Sequence, residues 1–208
     1  MKLLITTGPT REYLDSVRFL SNGSSGKMGV AVAQQAMQAG HEVLLLAGPG
    51  VEVPSGINTQ RFTSVKDLRE ALSEHFHACD ALIMAAAVGD FTLVNPAARK
   101  LSRHNGPITI TLLPTEDLLA GVSAKRNEGQ IICAFAVEDG PLDQVEAKAR
   151  SEMYKKGANM TVVNMPQAMG ADKSQACIIS PNDMLVDWQT RTKHQLADEI
   201  IKLLENMR

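Results

Sequence analysis

Nine consecutive residues hold the densest chemistry in this chain: Ser21, Asn22, Gly23, Ser24, Ser25, Gly26, Lys27, Met28 and Gly29. The Ala-rich run 30–40 that follows closes on Gly40 and predicts a helix with a glycine stop. A glycine–serine loop that opens a helix leaves backbone N–H groups free at the positive end of the helix dipole, where an anion can sit. Glycine permits close backbone approach, serine hydroxyls donate, and Lys27 adds a formal charge. Phosphate is the anion that suits such a loop; a plain helix start with a flexible loop is the other reading of the same residues. Neither standard phosphate motif fits. The P-loop needs glycine at 21, where Ser21 stands, and the dinucleotide fingerprint needs glycine at 24, where Ser24 stands.

Other reactive groups fall where apolar runs end. Arg18 precedes the loop and reads either as a substrate anchor or as a surface arginine. Gly89 and Asp90 follow the run 81–88, whose Ala85, Ala86 and Ala87 leave room for a ligand. Asp90 suits a ribose, a base or a metal-bound phosphate, or it caps a turn. Residues 91–107 are polar and basic, so Lys100 meets a polyphosphate if this segment acts as a lid. Cys133 lies mid-strand with no histidine near it in sequence, which marks a core thiol. His75, His77 and Cys79 gather at a helix end and read as exposed turn side chains, not as a zinc site. His41, His104 and His194 are scattered, and no nucleophile–base pair emerges.

Positioning these groups takes a sheet. The run 2–7 predicts a buried strand ending at Gly8 and Pro9, and 42–47 predicts a second. A helix is expected over 65–76 and a third strand over 81–88. Alternation of this kind gives parallel strands, right-handed crossovers and a ligand crevice beyond the carboxyl ends of the strands. The connection from the first strand to the first helix is far longer than usual for such a unit, as functional loops often are. Further along, 108–113 alternates like a strand, and a short helix is expected from Pro114 with Thr115 as its N-cap. Strands over 130–137 and 160–164 flank a helix over 142–156 that stops at Gly157. Residues 177–180 and 184–188 predict a hairpin, and 192–207 an amphipathic helix. The expected fold is α/β: a Rossmann-like, mostly parallel sheet with helices on both faces and a C-terminal β-hairpin.

With 208 residues, the chain is expected to form a single domain, 1–208. Its 21 basic and 23 acidic residues nearly balance, which argues against nucleic acid as the main partner. No apolar run reaches the roughly 18 residues of a membrane span, and the first residues lack a signal-peptide core. Three distant cysteines, Cys79, Cys133 and Cys177, fit a reducing cytoplasm better than a disulfide framework.

Several strings now stand in order. They are Thr7-Gly8-Pro9-Thr10-Arg11-Glu12, then Asp15 to Gly29 with its Phe-x-Ser-Asn-x-Ser-Ser-Gly-Lys-Met-Gly core, then Ala85-Ala86-Ala87-Val88-Gly89-Asp90-Phe91, with Lys100 ten residues after Asp90. Over nearly the whole chain this resembles phosphopantothenoylcysteine synthetase, the phosphopantothenate–cysteine ligase family, in its stand-alone form without a flavin-dependent decarboxylase. The resemblance implies a two-step reaction. The carboxylate of 4′-phosphopantothenate attacks the α-phosphate of CTP, or of ATP, releasing pyrophosphate; the amine of L-cysteine then attacks the acyl-nucleotide. It implies Mg²⁺ with the triphosphate, no flavin, and a homodimer with the substrate site near the subunit interface. Carried over, Asn22 and Lys100 are catalytic. The implied nucleotide site takes Gly8, Ser24, Ser25, Gly26, Lys27, Ala86, Asp90, Lys100, Leu113, Pro114, Thr115, Glu116, Phe135 and Lys156, and the substrate site takes Arg18, Asn22, Ala86 and Ala87. The metal ligands stay unassigned. Departures from the family pattern fall on the nucleotide side: Glu152 for a lysine one turn before Lys156, Lys100-Leu101-Ser102-Arg103 for a more basic lid, Glu116 for a proline, and Gly89 for an alanine. They leave the choice of triphosphate open. Two rivals stand beside this reading. A nicotinamide-dependent reductase would need the fingerprint that fails at Ser24 and a Tyr-x-x-x-Lys pair, but Ala158 follows Tyr154. A nucleotide-binding regulator would bind triphosphate without releasing pyrophosphate.

Overall fold

The computed structural model describes residues 1–208 apart from the side chain of Asn105. In chain order the elements are β1 (Lys2–Thr7), β2 (Arg11–Tyr13), β3 (Phe19–Ser21), α1 (Lys27–Gln38), β4 (Glu42–Ala47), β5 (Thr59–Arg61), α2 (Val65–His75), β6 (Ala81–Met84), β7 (Phe91–Leu93), β8 (Leu112–Pro114), α3 (Leu118–Ser123), β9 (Ile131–Val137), α4 (Leu142–Lys156), β10 (Met160–Asn164), β11 (Lys173–Ile179), β12 (Met184–Thr192) and α5 (Lys193–Asn206). Eight strands form one sheet in the order β12-β11-β10-β9-β6-β1-β4-β5. The six from β10 to β5 run parallel, and the C-terminal hairpin β11–β12 extends the sheet antiparallel. The expected α/β fold is therefore the observed one.

Side-chain alternation along each strand makes two cores. Leu3, Ile5 and Cys133 face α1 and α5, packing on Val32, Ala36, Leu196 and Ile200. Leu4, Leu82 and Ile132 face α2, α3 and α4, packing on Leu68, Leu72, Leu118 and Met153. Ser64 and Thr192 form capping boxes with Asp67 and Gln195, which start α2 and α5 sharply. Chain direction away from β1 reverses between its neighbours β4 and β6. The crevice of a doubly wound sheet lies at such a switch, beyond the carboxyl ends of the strands.

Three local expectations change. The strand expected over 81–88 ends at Met84. The Ala85 N–H turns back to the Ile83 carbonyl at 3.2 Å, and the Ala86 N–H donates to Thr6 Oγ1 at 3.0 Å, so the chain leaves the sheet there. Of 108–113 only Leu112 onward is strand, because β8 finds only the short β7 as a partner. The short helix starts at Leu118, capped by Asp117 and not by Thr115; the Thr115 hydroxyl donates instead to the Gly89 carbonyl at 2.6 Å. Among the described residues no helix is long and apolar enough to cross a membrane.

Candidate active site

The first helix begins at Lys27, directly on the Gly26–Gly29 loop. Gly26 caps it in the left-handed region at φ 77°, where a side chain would be strained and its Cβ would meet Val51 at 2.6 Å. Gly29 lets α1 lie against β1, because a Cβ there would stand 2.4 Å from Thr7. The buried Thr7 hydroxyl donates to the Gly26 carbonyl at 2.7 Å and ties the loop to the strand tip. No side chain caps the helix and no acid lies in its first turn. The N–H groups of residues 27–29 therefore remain available, in the geometry that binds anions.

This helix start forms one wall of a cleft of about 740 Å³ at the carboxyl edge of the sheet. The wall from α1 contributes Asn22, Ser24, Ser25, Gly26 and Lys27; the chain after β6 contributes Ala86, Ala87 and Asp90; Thr115, Glu116, Phe135 and Lys156 complete the predicted set. Gly8, Arg18, Lys100, Leu113 and Pro114 do not line it. Gly8 sits beneath, at φ 79°, where a Cβ would meet Val51 at 2.3 Å, so it packs the floor of the loop. Leu113 and Pro114 lie in β8, before the cleft segment that opens at Thr115. Arg18 is held by Asp15 through Nε at 2.9 Å and donates to the Leu101 carbonyl at 2.7 Å, while the Leu101 N–H donates to Asp15 at 3.1 Å. These hydrogen bonds, the Arg18 side chain first, hold the buried Asp15 carboxyl far below the usual carboxylate range. They also fix the main chain beside Lys100.

Asn22 lines the cleft with its amide nitrogen anchored. Its Nδ2 donates to the carbonyls of Ala87 at 3.1 Å and Val88 at 3.0 Å, so both donor hydrogens are used and Oδ1 is the group left open. Asn22 therefore braces the corner after β6 and offers an acceptor at the cleft.

The cleft carries several ion pairs. Lys27 pairs with Asp172 at 2.6 Å, Lys148 with Glu138 at 2.6 Å, and Lys156 with Asp117 at 3.3 Å and Glu152 at 3.8 Å. The Lys155 hydrogen bond, together with the charges of Lys155 and Lys156, holds Glu152 below the usual range, so it is ionised near neutrality. The Glu138 hydrogen bond raises Lys148. Burial, with Lys27 nearby, lowers Lys193 at the head of α5. Lys193, Lys148, Asp117 and Asn164 are cleft residues that the sequence did not single out. Asn164 ends β10 at 5% exposure, and its Oδ1 has no hydrogen-bond partner. A polar residue closing a buried strand was its visible signal, the same one that marked Asp90.

The cysteines offer no nucleophile. Burial pushes Cys79 up to about 11 and Cys177 up to about 12, and Cys133 rises too, also through burial. Iodoacetamide at about pH 8, just below the pKa of a free thiol, is expected to spare all three in the native protein and modify all three after denaturation. Rapid labelling of native Cys79 would contradict this. His75 hydrogen-bonds Gln60 at 2.6 Å, and no three metal-binding side chains gather among the described residues.

A family model described as the DNA/pantothenate metabolism flavoprotein C-terminal domain matches residues 1–207. The chain belongs to this family. It is 38% identical over 212 residues to the Coenzyme A biosynthesis bifunctional protein CoaBC of Mycobacterium tuberculosis, covering 96% of this chain and 51% of that protein. It is 36% identical over 207 residues to a protein named Cysteine/Cysteine sulfinic acid decarboxylase from an unknown prokaryotic organism, covering 97% of this chain and 57% of that one. The chain thus spans about half the length of these curated relatives. The solved C-terminal domain of Coenzyme A biosynthesis bifunctional protein CoaBC is 32% identical, with a TM-score of 0.83, and covers 99% of this chain and 94% of that chain. The family's match over nearly every residue agrees with a fold in which the cleft draws on segments from Asn22 to Lys193.

Proposed function

We propose that residues 1–208 form one cytoplasmic ligase domain of coenzyme A biosynthesis, joining 4′-phosphopantothenate to L-cysteine with CTP or ATP. One observation carries this reading: an uncapped, acid-free helix start shares a cleft with Asn22 and the Ala86–Ala87 corner. In the first step a carboxylate oxygen attacks the α-phosphorus and the bond to pyrophosphate breaks. In the second, the cysteine amine attacks the acyl carbon, the nucleoside monophosphate leaves, and the amine gives up a proton. The chain's part is alignment and charge compensation, and no protein nucleophile is required. The N–H groups of 27–29 and Lys27 receive phosphate oxygens. Phe135 and Lys156 line the nucleotide side. Asn22 braces the corner on which the activated acid rests and presents Oδ1 to the incoming amine.

Mg²⁺ fits this donor set as an ion carried in on the triphosphate. No three-residue cage exists among the described residues, whereas Asp90 offers a cleft carboxylate without an ion pair. Phosphates plus one such carboxylate suit a hard cation, which would neutralise phosphate charge.

A second copy of the chain completes the reading. Tyr13, Phe19, Leu20, Phe91 and Leu113 are each at least 41% exposed, on the hairpin β2–β3 and the pair β7–β8, which touch through β2 and β7. A clustered apolar face of this kind marks an interface. Arg18 and Lys100 lie on segments next to these strands, so a homodimer through this face draws them toward a cleft from which the single chain holds them apart. Leu20→Glu combined with Phe91→Glu is expected to halve the mass measured in solution; an unchanged mass would sink the interface.

The central test supplies purified protein with phosphopantothenate, cysteine, Mg²⁺ and each of four triphosphates, and measures pyrophosphate. Release that depends on phosphopantothenate with CTP or ATP is expected; binding without release would favour the regulator instead. Lys100→Gln is expected to slow pyrophosphate release, and an unaltered rate would remove Lys100 from the chemistry.

A further inference from the structure

A second cavity, of about 210 Å³, lies behind the cleft between α2 and α3. Its floor is apolar: Leu72, Phe76 and Leu118 are each at most 5% exposed. Its rim carries two cations, Arg69 and Lys125, with His77 beside them; one carboxylate, Glu116, lines it, and Glu70 lies 4.0 Å from Arg69 Nη2. Glu116 and Leu118 line both cavities, so the two stand back to back across the start of α3. Arg69 Nη1 lies 2.9 Å from Glu116 Oε1, an ion pair that joins the two rims.

We propose that this cavity binds a small amphipathic anion, an apolar body ending in a carboxylate, and that the bound anion weakens triphosphate binding in the adjoining cleft. The apolar floor takes the body and the basic rim takes the charge. An incoming carboxylate competes with Glu116 for Arg69. Once Arg69 turns to the ligand, Glu116 faces the cleft without its counter-charge, beside Asp90 and Asp117. Added negative charge at that wall opposes a polyphosphate, whereas the bond-making geometry around Asn22 is untouched. The signature is therefore a raised KM for triphosphate with little change in kcat.

The structure also supplies a plug. Gly121 lines this cavity from α3, and a Cβ added there meets nothing within 4 Å. Gly121 is itself exposed, so Gly121→Leu adds a side chain at the cavity mouth without a clash at its root and gains helix propensity.

The test titrates the purified full chain with octanoate and with 3-phenylpropionate, using octanol and acetate as controls, and follows amide-proton NMR shifts. Either acid is expected to shift the α3 amides, the tighter one identifying a chain or a ring as the body, with octanol and acetate binding more weakly. Gly121→Leu and Arg69→Gln are each expected to weaken binding by about tenfold or more, the loss of one charge-assisted contact or of the space itself. Binding that survives both variants, or octanol binding as tightly as octanoate, would overturn the site. The coupling arm alone rests on the proposed ligase activity: the better acid is expected to raise the triphosphate KM by about fivefold or more, and Arg69→Gln to remove that response. An unchanged KM with binding intact would overturn the coupling, and it would leave the ligase reading standing.

Discussion

Replacing Asn22 with aspartate is expected to leave pyrophosphate release within about tenfold of the parent rate while formation of the amide falls by about 10²–10³-fold, the scale of losing one preorganised polar contact at a reacting centre. In the proposed reaction the two steps part because they use different groups of the cleft. On that reading pyrophosphate release depends on the helix start at Gly26–Gly29 and on cleft cations, none of which hydrogen-bonds the Asn22 amide. Amide formation depends on the corner at Ala87 and Val88, whose carbonyls receive both Nδ2 hydrogens. Aspartate replaces that donor with a charged oxygen facing two carbonyl oxygens, so the corner moves away and the acyl carbon moves with it. Trapping the acyl-nucleotide by rapid quench, alongside pyrophosphate counts, separates the steps. Equal loss in both would contradict the bracing role.

The second large effect is expected at Gly29. An alanine there puts its Cβ 2.4 Å from Thr7 and 3.0 Å from the Thr6 carbonyl, so α1 must lift from β1. Overpacking of this sort costs about 1–3 kcal/mol, which for a chain of this size lowers Tm by roughly 2–12 °C. The same movement displaces the N–H groups of the first turn. A misplacement of this order reduces kcat/KM for triphosphate by about 10²-fold. Gly23→Ala is the matched control, because a Cβ at Gly23 meets nothing within 4 Å. Circular dichroism melts and pyrophosphate kinetics check both variants. A Gly29→Ala enzyme with parental triphosphate kinetics, or a Gly23→Ala enzyme equally impaired, would remove the helix start from phosphate binding.

Strong local patterns carried most of the architecture. Unbroken apolar runs gave β1, β4, β9 and β10, because strands buried on both faces need no partner-specific signal. Gly157, at φ 64°, stopped α4 where the chain predicted it, and Thr192 capped α5. The cleft wall from Asn22 to Lys27, the alanines after β6 and Asp90 were legible for the same reason: each lies in one contiguous segment next to a strand end. The short strands β2, β3 and β7 were not, and β8 only at its first two residues, since three residues carry no readable period and exist only through their pairing.

The sequence by itself determined a doubly wound sheet, a glycine–serine loop at the head of its first helix and a run of small residues after β6. Only the tertiary structure decided how those parts are used. Ala86 leaves the sheet because Thr6, 80 residues earlier, accepts its N–H. Asn22 gives up its donors to carbonyls 65 and 66 residues away. Asn164, Lys148 and Lys193 enter the cleft from three separate elements, and Arg18 and Lys100 stay out of it because Asp15 pins their segment. Local propensity sets which residues form a strand or helix; which side chains meet is fixed by long-range hydrogen bonds and packing that no short window of sequence contains.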